Sequence, residues 1–179
     1  MPDNIEIKAR VRDLRRVETL AESLAGAGPE IFEQEDTFFK AQRGRLKLRV
    51  WSSARGELIF YARPDTLGPK HSEYRIAATS DPERTREVLA AALGTAGTVR
   101  KTRFLYRVGQ TRIHVDDVAG LGHFIELEVV LHPGQSTDEG ERIVRDLMAR
   151  LEIGEGDLIA GAYVDMKSTT GAVERQADG

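Results

Sequence analysis

Three glutamates and a lysine share the polar faces of two predicted strands. The segment NIEIKAR (4–10) alternates apolar and polar residues, a period of two that is typical of a half-buried strand, so Glu6 and Lys8 lie on one face. Glu126 and Glu128 repeat this spacing further along the chain. If the two strands are neighbours, three carboxylates come together, and carboxylate oxygens are ligands that Mg²⁺ and Mn²⁺ prefer.

Basic side chains follow the same alternation on most of the other predicted strands. Those assigned to the charged face are Lys47, Arg49, Arg63, Arg75, Lys101, Arg103, Arg107 and Arg112. Arginine and lysine supply donors for phosphate oxygens, and arginine can bind two oxygens at once. A polyanion bound together with a divalent metal would neutralise both sets of charges. Nucleoside triphosphates and polyphosphates meet that requirement.

The same alternation also fits an ordinary antiparallel sheet whose polar face meets water. From the pattern alone this solvated face is the preferred interpretation, but the density of arginine on the face and the acids Glu126 and Glu128, which could meet Glu6 across the sheet, weaken it. The charged face would turn inward only if the sheet closed into a barrel, and charges buried there would need partners. The residues alone leave both interpretations open.

Two further residues on this face have more than one interpretation. His114 lies between Arg112 and Asp116, so it is either a proton carrier or a hydrogen-bonded structural histidine. Trp51 shares the face of Lys47, and it either borders a base or other organic head group or covers the core at the end of a strand.

Composition narrows the class of protein. The chain has 179 residues, which fits one domain, and its 26 basic and 29 acidic residues give a net charge of −3. That balance predicts neither a nucleic-acid partner nor an anionic membrane. With no cysteine, disulfides, cysteine zinc sites and thiol catalysis are excluded. No segment resembles a signal peptide or a membrane span, which predicts a cytoplasmic protein.

The periodicity predicts an α+β fold of seven or eight mostly antiparallel strands and three helices that cover one surface of a sheet. The predicted strands are 4–10, 31–39, 44–51, 57–63, 72–78, 98–108, 111–118 and 123–131. Asp13 is expected to cap the first helix, Ser80 with Glu83 the second, and Ser136 with Glu139 the third. The apolar segment 158–166 fits a helix or a strand.

With these segments in this order, the chain resembles the CYTH family, which is named for class IV adenylate cyclase and thiamine triphosphatase and is also called the triphosphate tunnel metalloenzymes. The family signature Glu-x-Glu-x-Lys corresponds to Asn4, Glu6 and Lys8. The segments GRLKLR, YARPD, KTRFLYRV, IHVDDV, LGHFIELEV and AYVDM resemble family segments in the expected order. The resemblance implies a CYTH domain at residues 1–166, followed by a polar C-terminal tail at 167–179.

The resemblance implies an eight-stranded antiparallel β-barrel, or tunnel, with helices packed outside it. It implies that Glu6, Glu126 and Glu128 bind Mg²⁺ or Mn²⁺, with Lys8 and Asp116 as catalytic candidates. The residues expected to bind the triphosphate substrate are Lys8, Lys47, Arg49, Arg63, Lys70, Arg75, Lys101, Arg103 and Arg112. A homodimer is compatible with this type of barrel.

Within the family, the chain most resembles the class IV adenylate cyclase branch, which converts ATP to cyclic AMP and pyrophosphate. The segments that carry this resemblance are NIEIKAR, RPDTLGPK and LIAGAYVDM. The alternatives are a triphosphatase that hydrolyses inorganic triphosphate, thiamine triphosphate or a nucleotide, and a non-catalytic polyphosphate or nucleotide sensor. Two residues depart from the family. Asn4 removes one carboxylate, and Phe38 stands where a hydroxyl-bearing aromatic is common, which disfavours a hydrolase.

Overall fold

The computed structural model describes residues 3–166, so the polar tail predicted at 167–179 lies outside the described residues. Eight antiparallel strands close into a barrel in the order β1-β5-β4-β3-β2-β6-β7-β8. The strands are β1 Asp3–Arg10, β2 Glu30–Phe39, β3 Arg45–Ser52, β4 Arg55–Ala62, β5 Lys70–Thr79, β6 Thr95–Val108, β7 Thr111–Val118 and β8 Gly122–Val130. The predicted α+β class and the eight-stranded barrel are confirmed.

Three α-helices lie within the described part of the chain, at α1 Leu14–Ala25, α2 Pro82–Leu93 and α3 Thr137–Arg150, with a short 3₁₀ helix at Glu155–Asp157. The Asp13 carboxylate accepts the Arg16 backbone N–H at the start of α1, and Ser136 and Glu139 form the predicted capping box of α3.

The cap predicted for α2 was wrong by one residue. Asp81, not Ser80, caps this helix and accepts the Arg84 backbone N–H. Pro82 fixes the position, because its ring is preorganised for the first helical residue and the cap must come directly before it.

The apolar core lies between the outer surface of the barrel and the helices, as predicted. Alternation along β1 turns Ile5 and Ile7 outward, where they pack in one cluster with Leu127 of β8 and with Val144 and Leu147 of α3. Helix α1 contributes to the same cluster and covers β6 and β7.

Helix α3 approaches β1 closely at Gly140. A Cβ atom at this position would lie 2.7 Å from side-chain atoms of both Ile5 and Leu131. Any larger residue would push the helix away from the outer face of the barrel.

The polar side chains of β1 therefore point into the barrel, and the solvated-sheet interpretation is excluded. The ambiguous segment 158–166 begins with a bridge from Leu158 to Ala9 and becomes helical at 163–166. Ala162 and Tyr163 pack against Phe38 and line the interior there, so they cover one end of the barrel, called here the covered end. Within residues 3–166, no helix is both long and apolar enough to span a membrane.

Candidate active site

A cavity of about 360 Å³ runs inside the barrel and collects most of the charged residues predicted from the sequence. The predicted residues that line it are Glu6, Lys8, Lys47, Arg49, Arg63, Lys101, Arg103, Arg112, Glu126 and Glu128. They reach it from the five strands β1, β3, β6, β7 and β8, which turn alternate residues inward, and Arg63 reaches it from the position directly after β4. Lys8 and Lys101 have almost no exposed surface, so the cavity wall is charged yet largely removed from bulk water.

Strand β5 differs from the sequence prediction. The exposed Arg75, predicted to bind substrate, does not line the cavity, where Ser72 and Tyr74 point instead. The sequence of this strand carries polar residues on both faces, so the alternation did not distinguish them. Lys70 is buried on the inner parity of β5, but its Nζ donates to the Thr66 carbonyl at 2.8 Å and it is not part of the lining.

The three predicted metal ligands lie on two hydrogen-bonded strands. Glu6 of β1 is the direct cross-strand partner of Glu128 of β8, and Lys8 is the partner of Glu126. All three carboxylates line the cavity. The register therefore meets the condition set in the sequence analysis, that the strands carrying the three glutamates are neighbours.

Each of these carboxylates contacts at least one cation. Arg63 donates to Glu6, Lys8 Nζ lies 3.1 Å from Glu126 Oε1, and Arg112 Nε lies 2.8 Å from Glu128 Oε2. Burial alone would raise the pKa of Glu126, but the charges of Lys8 and Arg103 hold it well below its usual value. The carboxylate of Glu126 is therefore ionised at neutral pH.

The three glutamates suit a hard divalent cation, because they supply carboxylate oxygens and lie on paired strands. Among residues 3–166, no three acidic or histidine side chains converge closely enough to hold an ion as they stand, because the carboxylates turn toward their cations. The Asn4 amide donates to Glu128 at 2.6 Å, and its buried Oδ1 has no hydrogen-bond partner among the described residues. Where the family has a carboxylate, this chain thus offers a neutral oxygen.

Asp36 organises the basic residues of β3, and the sequence analysis did not single it out. The carboxylate accepts two hydrogen bonds from Arg49, both at 2.8 Å, and one from Lys47 at 2.7 Å. Burial would raise the pKa of Asp36, yet the charges of Arg49 and Lys47 hold it well below its usual value. Burial and the charge of Arg49 lower the pKa of Lys47 to about 7, with Asp36 opposing them. Asp36 lies two residues before Phe38 and therefore on the same face of β2, which is the sequence signal that could have identified it.

Asp116 plays the same part for the basic residues of β6. It is fully buried and accepts hydrogen bonds from Lys101 at 2.8 Å, from Arg103 through two 2.7 Å contacts, and from the Tyr163 hydroxyl at 3.0 Å. Burial would raise the pKa of Asp116, but Arg103 and Lys101 hold it well below its usual value. Because the Asp116 carboxylate is ionised and already accepts these hydrogen bonds, it is suited to position the basic side chains and poorly suited to accept a proton.

His114 is buried between two of the acidic residues. Its Nδ1 lies 3.7 Å from Glu126 and its Nε2 4.0 Å from Glu128. Burial lowers the pKa of the imidazole, and the charge of Arg103 lowers it further, so the ring is neutral at pH 7. The buried Nδ1 has no hydrogen-bond partner within the described residues.

Two tyrosines lie at the covered end, and the sequence analysis gave neither of them a role. The side chain of Tyr163 lies against Lys8, whose Nζ is 3.8 Å from the ring centroid. Tyr61 of β4 lines the cavity, and the Lys47 Nζ lies 5.9 Å from its ring and 5.6 Å from that of Phe38. Tyr163 sits in the segment of ambiguous type, which hid its position.

Comparison with known proteins adds a family match. The model of the CYTH domain matches residues 3–163. A proposed adenylate cyclase of Methanocaldococcus jannaschii is 23% identical over 174 residues, which cover 91% of this chain and 97% of the relative.

Solved structures share the fold. A protein of Pyrococcus horikoshii OT3 superposes with a TM-score of 0.80 at 24% identity, covering 90% of this chain and 98% of its own. A Hippeastrum protein, described as a proposed adenylyl cyclase with a dominant triphosphatase activity, has a TM-score of 0.62 at 17% identity and covers 89% of this chain and 91% of its own.

Proposed function

The chain belongs to the CYTH family, and on this premise we propose that it is a divalent-metal-dependent enzyme that converts ATP to cyclic AMP and pyrophosphate. The observation that carries the proposal is the cavity itself. Eight basic side chains, seven of them from strands β1, β3, β6 and β7 and one, that of Arg63, from directly after β4, converge on one cavity that also contains three neighbouring carboxylates. A triphosphate matches this arrangement, because it is a chain of anionic groups long enough to contact several strands at once.

The basic residues of β3 and β6 would bind the β- and γ-phosphates. Arg49 and Arg103 each present a planar fork that Asp36 and Asp116 hold in place through paired hydrogen bonds. These cations are therefore oriented before the substrate arrives, which lowers the entropic cost of binding and places positive charge where pyrophosphate leaves.

Phosphate binding would also release the acidic residues. Glu6, Glu126 and Glu128 now share Arg63, Lys8, Arg103 and Arg112 as partners. When these cations turn to phosphate oxygens, the carboxylates are free to hold Mg²⁺ or Mn²⁺. Such an ion, when bound, supplies positive charge at phosphate oxygens and lowers the pKa of a coordinated hydroxyl.

In the proposed reaction the ribose 3′-oxygen forms a bond to the α-phosphorus, the bond from the α-phosphorus to the pyrophosphate oxygen breaks, and the hydroxyl proton passes to solvent water. Lys8 remains the proposed catalytic residue, because its amine lies between Glu126 and the ring of Tyr163 at the covered end, where it would donate to the reacting phosphate. Burial lowers the pKa of this amine, and the charge of Glu126 opposes the shift. For Asp116 we propose a positioning role, since its oxygens already accept hydrogen bonds from three side chains.

A triphosphatase is the second candidate, and one observation favours it. Phe38 provides no hydroxyl, but the phenol ring of Tyr61 lines the cavity beside the same lysine, Lys47. A hydrolase could use this hydroxyl to orient water. The same cavity would bind the same triphosphate, with water in place of the ribose hydroxyl as the nucleophile.

One incubation separates the candidates. The purified chain is mixed with ATP and either Mg²⁺ or Mn²⁺, and the products are separated by chromatography. Cyclic AMP with pyrophosphate supports the cyclase, and ADP with phosphate supports the triphosphatase. Tight binding with neither product would reject both activities on ATP, and absence of phosphate release from inorganic triphosphate as well would favour a sensor.

A further inference from the structure

An aromatic pair lines the cavity at the end opposite the covered end. Phe32 lies near the start of β2 and Trp51 near the end of β3, and their ring centroids are 5.4 Å apart at an interplanar angle of 67°. Both side chains are only partly buried. Within the part of the chain that the structure describes, neither ring belongs to the two apolar clusters of the fold, so Trp51 does not cover the core.

Two buried polar atoms on the same wall have no partner among the described residues. They are the Nε1 donor of Trp51 and the Oε1 acceptor of Gln34. Gln34 lies two residues after Phe32 on the inner face of β2, lines the cavity and is 5% exposed. Leaving such buried groups unpaired is unfavourable, and a ligand with complementary groups would remove this penalty.

The aromatic pair is continuous with the proposed phosphate path. The guanidinium carbon of Arg49 lies 5.6 Å from the Trp51 ring centroid, and that of Arg55 lies 5.5 Å from it. Arg49 is also held by Asp36 among the residues assigned to the phosphates. A ligand that fills both parts must join a planar ring to a polyanion, which is the chemistry of a nucleoside triphosphate.

We infer that Phe32, Trp51 and Gln34 form a subsite for the adenine base of a nucleoside triphosphate. Aromatic side chains stack on any base, so the rings give affinity without selectivity. Selectivity comes from Gln34, whose amide pairs one donor and one acceptor with N7 and N6 of adenine, whereas guanine presents two acceptors at the same edge. The subsite rests on the proposed binding of a triphosphate in the tunnel.

The chain has a single tryptophan, so its fluorescence reports this subsite directly. Wild type is titrated in Mg²⁺ with α,β-methylene-ATP, which cannot release pyrophosphate, and with inorganic triphosphate. The adenine analogue is expected to quench Trp51 and inorganic triphosphate to bind without quenching. Calorimetry measures both affinities independently of fluorescence.

Variants then separate the contribution of the base to binding from that of the phosphates. Trp51→Leu is expected to weaken α,β-methylene-ATP about tenfold and to leave inorganic triphosphate unchanged, while Trp51→Phe retains most of the affinity. Gln34→Met keeps the length of the side chain and removes the amide. It is expected to abolish the preference for α,β-methylene-ATP over α,β-methylene-GTP.

Each outcome decides between the two proposals. Binding of both ligands with equal quenching, or an equal loss of both in Trp51→Leu, would overturn the subsite and leave the proposed function in place. A wild-type preference for adenine that survives Gln34→Met would overturn the assignment of Gln34. Absence of calorimetric binding for both ligands would overturn the proposed function and the subsite together. If Trp51→Leu does not fold, wild-type quenching and Gln34→Met still decide.

Discussion

Glu6 and Glu128 stand directly opposite each other on β1 and β8, and both point into the barrel. Like charges in this position repel, which destabilises a strand pair. The structure compensates with Arg63 on Glu6 and with Arg112 and Asn4 on Glu128. Under the proposed function, the pair would exchange these partners for one divalent ion.

Glu128→Gln is expected to lower metal-dependent turnover by at least about a hundredfold, the size seen when one charge-stabilising group is removed from a transition state. The cost in folding free energy is expected to be about 1 kcal/mol, since Arg112 loses a charged partner and the amide can still accept a hydrogen bond. Turnover at saturating Mg²⁺ and thermal melting measure the two effects.

The matched control is Glu57→Gln, which removes a carboxylate from the same cavity but from β4. It should retain turnover within a few-fold. Full activity in Glu128→Gln, or equal losses in both variants, would contradict the metal assignment.

Much of the fold followed from alternation alone. NIEIKAR and GRLKLR place charges and apolar residues on strict parities, so their inner and outer faces were predictable. Closure of the barrel was not predictable from alternation, because the same pattern suits an open sheet. It depends on the pairing of β1 with both β5 and β8, which only the family resemblance indicated.

The site was predictable where one parity carried all the charge. The prediction failed on β5, where Arg75 was assigned to the charged face but Ser72 and Tyr74 point into the cavity. Asp36 was missed because its neighbour Glu35 is equally polar, so the one sequence signal was the parity that Asp36 shares with Phe38; the pairing with β3 then distinguishes the two acids. Loop segments such as the one before Tyr163 have no period, so their contacts depend on the tertiary fold.

Inorganic triphosphate with Mg²⁺ is expected to stabilise the fold by mass action. At a concentration one hundred times its dissociation constant, the gain is about 2.7 kcal/mol, or roughly 5–10 °C in melting temperature for a chain of this size. Monophosphate should shift the melting temperature far less, because it spans fewer cations. Differential scanning fluorimetry of the same protein sample with each ligand makes the comparison.

Arg49→Gln and Arg75→Gln form a matched pair for this measurement. Arg49 lines the cavity and Arg75 is exposed on the outer face of the barrel. The first variant should lose most of the shift with triphosphate and the second should keep it. Similar shifts in both variants would place the polyanion outside the tunnel.

The pKa of Lys47 predicts a pH dependence with a definite sign. Burial, helped by the charge of Arg49, lowers the pKa from 10.5 to about 7 in the folded chain. Between pH 7 and 10.5 the unfolded chain binds the extra proton, so the free energy of unfolding of the ligand-free protein should rise with pH in this window. Triphosphate affinity should fall over the same window, because the neutral amine attracts phosphate less.

We expect a loss of about tenfold in affinity between pH 6.5 and pH 8.5, which corresponds to about 1.4 kcal/mol. Calorimetry in two buffers of different ionisation enthalpy would also detect proton uptake on binding at the higher pH. Lys47→Met removes the titrating group and should flatten both profiles. A variant with unchanged pH dependence would assign the titration to other groups.

The last prediction separates the cyclase from the hydrolase through the two rings beside Lys47. Phe38 and Tyr61 lie at similar distances from the Lys47 amine, and only Tyr61 carries a hydroxyl. A hydrolase must orient and deprotonate water, whereas the nucleophile of a cyclase is part of its substrate and an apolar ring helps to exclude water. Phe38→Tyr should therefore raise the ratio of inorganic phosphate to cyclic nucleotide by about tenfold or more, and Tyr61→Phe should lower it.

Chromatography of the products from ATP with Mg²⁺ or Mn²⁺ gives the ratio for wild type and both variants. Wild type that releases phosphate efficiently and forms no cyclic product with either metal would reject the cyclase, and loss of that release in Tyr61→Phe would then establish the triphosphatase and the residue on which it depends.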